Sequence, residues 1–196
     1  MQDIETTSFI AGKNMKKIGI APSVVLCNPK FPRNVAAVVR LASAYGIPQV
    51  IFSGNRVSLD EKERLPREER MRGYKDVQLI QSDYFFDLFD KEVTPVAVEV
   101  RENSENLYDF IWPEKPLLIF GPEDGSIPRV TLQHCHRFVI IPSKHCLNLA
   151  TAVSTILYDR AYKAYLNGNA ESAYVTPGEV EGRGPSLPGE EDDGIG

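Results

Sequence analysis

No apolar run among the 196 residues is long enough to span a bilayer, which argues against a helical membrane protein. No basic stretch leads into an apolar segment at the start, so a secretory signal is not expected either. Cysteine is scarce: only Cys27, Cys135 and Cys146. An odd number without CxxC spacing argues against a disulfide framework and against a zinc site. A reducing cytoplasm is the expected compartment. There is no internal repeat. The dinucleotide fingerprint G-x-G-x-x-G is also missing after the first strand-like run, where the chain reads Asn28-Pro29-Lys30-Phe31-Pro32-Arg33-Asn34.

What is present suits one globular domain: 42% hydrophobic residues and enough length for a good core. The net charge of −5 is unevenly distributed. Residues 169–196 hold seven acidic groups and one basic group, which leaves 20 acidic and 21 basic residues elsewhere. That tail is rich in Gly and Pro and lacks apolar periodicity, so it is expected to be disordered. Residues 1–20 read as a polar leader and 21–168 as the folded domain. A nearly neutral domain is compatible with RNA binding through a local basic patch.

Within the domain, short apolar runs alternate with helical patterns. Strands are expected at Ser23–Asn28, Gln49–Ser53, Val77–Ile80, Pro95–Val100, Pro116–Gly121 and Arg137–Pro142. One helix is expected from an Asn34 N-cap to about Tyr45, stopped by Gly46; others span Asp83–Phe89 and Leu149–Leu166. Continuous apolar strands separated by helices imply an α/β domain whose parallel sheet is covered on both faces. Such a sheet binds ligands at the carboxyl ends of its strands. Two late segments are built for that. One is Gly121-Pro122-Glu123-Asp124-Gly125-Ser126-Ile127-Pro128. The other runs from Ile140-Ile141-Pro142 through Leu147-Asn148-Leu149-Ala150.

These two segments, with Asn34 and Arg40 six residues on, resemble three motifs of the SPOUT superfamily of methyltransferases, in the same order. Within it they are most similar to the SpoU/TrmH-type RNA ribose 2′-O-methyltransferases. The sequence departs at Cys146 and Ala150, where the family favours serine, and at Ser126, where it favours glycine. The resemblance implies a parallel-sheet SPOUT fold with a deep C-terminal trefoil knot. It also implies a homodimer in which two subunits complete each active site, and S-adenosylmethionine as cofactor. The implied donor site is Val98, Glu99, Val100, Phe120, Gly121, Gly125, Ile140, Ile141, Pro142, Leu147 and Leu149. The implied reaction is 2′-O-ribose methylation of RNA, tRNA before rRNA. Alternatives are methylation of a base nitrogen on the same fold, or an idle RNA-binding relative.

Methyl transfer from a sulfonium needs alignment and proton management but no metal. Arg40 is the expected catalytic residue, holding phosphate and stabilising the forming alkoxide; a surface ion pair is the competing account. Asn34 is either a helix cap, a positioner of the acceptor ribose, or both. Glu123 is expected to accept backbone amides or the Arg40 guanidinium, and Asn148 to cap the last helix or orient the reactants. Arg33, Arg70, Arg72, Lys75 and Lys144 are candidate RNA contacts, with Tyr74 available to stack on a base. For Arg70, Arg72 and Lys75 the competing account is a solvated, mixed-charge segment.

Overall fold

The structure, a computed structural model, describes residues 17–57 and 77–168, and the backbone alone of residues 7–8. Arg70, Arg72, Tyr74, Lys75 and the 169–196 tail lie outside the described residues, as does most of the 1–20 leader. The elements run β1 (Thr7–Ser8), β2 (Ser23–Leu26), α1 (Pro32–Ala44), β3 (Gln49–Phe52), β4 (Gln78–Gln81), β5 (Thr94–Val98), β6 (Glu105–Asn106), β7 (Pro116–Phe120), α2 (Arg129–Leu132), β8 (Arg137–Ile140) and α3 (Leu149–Leu166). The strands form one parallel sheet ordered β1-β4-β3-β2-β7-β5-β8-β6.

Side chains alternate across the sheet, as the strand period of two requires. Val24, Leu26, Val50, Phe52, Leu118 and Phe120 face α1 and α3. Val25, Ile51, Ile80, Ala97, Leu117 and Ile119 face the opposite layer, which includes Phe85, Leu88 and Leu132. Every residue of β2, β3 and β7 is buried, the signature of central strands covered on both sides. Ile18, placed in the leader by sequence, packs on this second layer, and Gly19 N donates to Leu88 O at 2.8 Å.

Two expected helices differ. α1 starts at Pro32, with Phe31 as its N-cap residue. Proline holds its own φ near the helical value and keeps the preceding residue extended, so the helix nucleates two residues before Asn34. Asn34 therefore lies in the first turn and is not the cap. Asp83–Phe89 forms only a 3-10 turn, Phe85–Leu88. Burying Phe85 and Leu88 against the sheet needs a single turn.

The segment before β7 is clamped to α3. Asp159 accepts from Trp112 Nε1 at 2.7 Å and pairs with Lys163 at 2.9 Å. Lys163 also donates to the carbonyls of Leu107 and Phe110. Arg137 grips the same segment through Glu105 and by lying 4.4 Å from the Phe110 ring centre. Asp159→Ala leaves the Trp112 indole N–H without its acceptor and the half-buried Lys163 ammonium without its counter-charge. We expect a loss of about 2–3 kcal/mol, read as a drop of roughly 5–10 °C in thermal midpoint. Asp159→Asn, which keeps an acceptor for Trp112, should lose less.

Candidate active site

The carboxyl ends of β5, β7 and β8 surround a cleft of about 290 Å³. Val98, Glu99 and Val100 line it from β5, and Phe120, Gly121, Pro122, Glu123 and Gly125 from β7. Ile140, Ile141, Ser143, Cys146, Leu147, Leu149 and Ala152 close it from β8 and the start of α3. The structure thus brings together every expected donor-site residue except Pro142, which is half-buried beside the cleft without lining it. Pro122, Ser143, Cys146 and Ala152 line it without having been singled out for it.

Two features keep the cleft open. A Cβ on Gly121 would stand 3.0 Å from Ile127 N and 3.2 Å from Ser126 C, so any side chain there would push the loop backbone out by a few tenths of an ångström. Glu99 fastens that fold, its carboxylate accepting from Ile127 N at 2.8 Å and from Val100 N at 3.1 Å. The walls are mainly apolar, with Glu99 and Glu123 the two carboxylates on the lining.

A polar chain runs along one edge. Glu123 accepts from Asn34 Nδ2 at 2.6 Å, from Lys30 N at 2.7 Å and from Phe31 N at 3.3 Å. Asn34 Oδ1 in turn accepts from Asn148 Nδ2 at 3.4 Å. Asn148 also caps α3, its Oδ1 accepting from Ala150 N at 2.9 Å. Burial of Glu123 works against ionisation, but the hydrogen bonds from Asn34 and the two amides together outweigh it and hold the carboxyl below its ordinary 4.5. Glu123 therefore takes the amides of the β2 loop and not the Arg40 guanidinium.

Arg40 stands apart. It is exposed on α1 and does not line the cleft. Six helical residues carry it roughly 9 Å along the axis from Asn34 and about 120° around it. Among the described residues no carboxylate pairs with it. Arg33 and Lys144 are likewise exposed.

Sequence reasoning missed the clamp outside the loop. Asp124 takes a two-pronged contact from Arg56, 2.9 and 2.8 Å, and a 3.2 Å contact from Lys30. Those two cations hold its carboxyl well below the usual range. Asp124 was visible in the Gly-rich loop; its partners on the β2 and β3 loops were not, because only the strand order brings them close. Cys27 and Cys135 are buried, and desolvation raises their thiols to about 12 and about 11, so both stay protonated at neutral pH.

Known proteins share this arrangement of elements. The chain is 24% identical over 157 residues to the tRNA (cytidine-2'-O-)-methyltransferase TrmJ of Methanocaldococcus jannaschii, across 70% of this chain and 66% of that protein. The match thus spans just under two thirds of this relative's length. A structure solved for insight into 2-OH methylation of C/U34 on tRNA is similar with a TM-score of 0.62 at 28% identity, over 74% of this chain and 96% of that one. The SpoU methyltransferase AviRb from Streptomyces viridochromogenes, solved in complex with the cofactor AdoMet, shares the fold with a TM-score of 0.65 at 19% identity, over 79% of this chain and 63% of that one. The model of the SpoU rRNA Methylase family matches residues 21–158, from β2 through β8 and into α3, and the chain belongs to that family.

Proposed function

We propose that this protein transfers a methyl group from S-adenosylmethionine to a ribose 2′-oxygen of RNA, with tRNA as the substrate. The observation that carries this is the Asn148–Asn34–Glu123 chain along the edge of an apolar cleft built from three strand ends. The relatives whose names specify tRNA 2′-O-methylation support the choice of substrate.

The cleft suits the donor. Phe120, Ile140, Ile141, Leu147 and Leu149 offer apolar walls for an adenine ring. Gly121 permits the tight fold of the loop that walls the cleft, and Glu99 and Glu123 supply carboxylates beside a cationic ligand. When bound, S-adenosylmethionine supplies an electrophilic methyl group with its own leaving group. Asn148 and Asn34 then position the acceptor ribose, their amides held in place by Glu123 and by the α3 cap. Arg40 binds the adjoining phosphate and stabilises the forming alkoxide; the hydroxyl proton passes to solvent or to the substrate's own phosphate as the methyl carbon leaves sulfur for oxygen. Arg33 and Lys144 add RNA contacts from the loops at the strand ends.

Arg40 lies outside the cleft of its own chain, so the reading includes a homodimer in which a second copy brings it there. The exposed Tyr158, Tyr162 and Leu166 on α3 are available to that interface. The chain is also read as knotted. β8 sits between β5 and β6, which are consecutive in sequence, an order that supports threading the chain after β7 through the segment that joins them. Among the described residues no helix is long and apolar enough to cross a membrane; we place the reaction in the cytoplasm, where the free thiols are stable.

The test is incubation with methyl-labelled donor and total RNA, then nuclease digestion and mass spectrometry of the nucleosides. We expect 2′-O-methylated nucleosides in the tRNA fraction. Label on a base nitrogen would replace the proposal with base methylation, and no label with donor binding intact would point to an idle RNA-binding relative.

A further inference from the structure

Phe31 is half-buried, yet it packs against neither layer of the core. It heads α1 as the N-cap residue, and its side chain makes no cap hydrogen bond. Its amide donates to Glu123, which lines the cleft, so the residue is tethered at the cleft's edge. Two cations are gathered at this ring: the Arg33 guanidinium carbon lies 4.7 Å from its centre and Lys30 Nζ 5.4 Å. Lys30 also pairs with Asp124. Arg33 has no carboxylate partner among the described residues; its charge is turned toward the ring.

A site that only attracted phosphate would need the cations and not the ring. A planar guanidinium over an aromatic face, fixed beside a cleft for nucleotide chemistry, suits a different task. Unpaired bases stack on aromatic rings and on arginine planes, whatever their identity. We infer that Phe31, braced by Arg33, is a stacking platform for an unpaired base of the RNA, holding the target nucleotide or its neighbour over the cleft. This rests on the proposed RNA 2′-O-methylation and names how that site grips its substrate. The loop carrying the ring is fastened at Glu123, so the platform is set before RNA arrives.

The test compares wild type with Phe31→Leu, Phe31→Tyr and Arg33→Lys. Fluorescence anisotropy measures binding to an RNA stem-loop and to the same stem-loop with abasic loop nucleotides. Phe31→Leu is expected to weaken binding of the base-bearing loop by about tenfold and to leave the abasic loop nearly unaffected. Phe31→Tyr should restore it. Arg33→Lys, which keeps charge but loses the plane, should fall between. The slope of log affinity against log salt should stay at the wild-type value in Phe31→Leu, since no phosphate contact is lost. S-adenosylmethionine affinity, by calorimetry, should not change.

Equal losses on both RNAs, failure of tyrosine to restore binding, or a matching loss of donor affinity would overturn the platform and leave Phe31 a structural role. Methyl transfer by wild type is measured alongside. Absent transfer with the base-dependent loss intact sinks the enzymatic reading alone. Normal transfer with Phe31→Leu indistinguishable from wild type in RNA affinity and KM sinks the platform alone.

Discussion

Arg40→Ala is expected to reduce methyl transfer to RNA by at least about 100-fold while changing donor affinity by no more than about twofold. The guanidinium is charged at any working pH, so it cannot serve as a neutral general base. On the proposed reading its contribution is electrostatic: a fixed positive charge beside the ribose whose oxygen becomes anionic in the transition state. Arg40→Lys, which keeps the charge but not the two-pronged geometry, should retain only a small part of the activity. A large loss of donor binding in Arg40→Ala would place the residue in the cofactor site instead.

Its position makes a sharper version of the same experiment possible. Arg40 is exposed and outside its own cleft, whereas Asn148 stands at the cleft edge. If one copy serves the other, Arg40→Ala and Asn148→Ala subunits must complement each other. A mixed dimer then holds one complete site out of two. Random reassociation of equal amounts should recover about a quarter of wild-type activity from two nearly inactive parents. If each copy used its own arginine, no site in the mixture would be complete and nothing would be recovered.

Much of this architecture was legible because the informative signals are local. β7 is apolar throughout and β2 and β3 are apolar after one polar first residue, and burial on both faces leaves such runs few alternatives. α3 falls at its expected bounds, Leu149–Leu166, because its buried residues keep the helical period and Asn148 caps it. The two loops stood out because glycine, proline and a carboxylate follow strand ends. The features that escaped notice depend on contacts made at a distance. β6 is two residues long and is a strand only because β8 arrives next to it. α2 is four residues long, too short to show a period. Asn34 looked like a cap because amide side chains often are, while Pro32 starts the helix and leaves that amide free for Glu123. Arg40, expected to be catalytic, is exposed and outside the cleft, and on the proposed reading what it meets lies on a second copy, which one chain's sequence pattern does not display.

Glu123→Ala should lower stability and donor affinity together, because one carboxylate orders both the rim and the β2 loop. Its removal leaves Asn34 Nδ2, on a residue only 6% exposed, without its 2.6 Å acceptor. The Lys30 and Phe31 amides lose theirs as well, although water can reach the Lys30 end. Hydrogen bonds to a charged acceptor contribute about 1.5–3 kcal/mol each when buried; with partial rehydration the expected loss is roughly 2–4 kcal/mol. Glu123→Gln keeps the shape but has one accepting oxygen for donors on two sides, and its own N–H₂ faces the other, so it should lie between. The pH dependence separates charge from shape. The folded-state pKa lies below the ordinary 4.5, so the stabilisation is fully present above that value and disappears as pH falls through the lower folded one. The gap in thermal midpoint between wild type and Glu123→Gln should therefore be widest near neutrality and narrow as the pH is lowered below 4.5. A gap that is the same at both ends would mean the carboxylate acts through its shape alone, and the electrostatic account of the loop would fail.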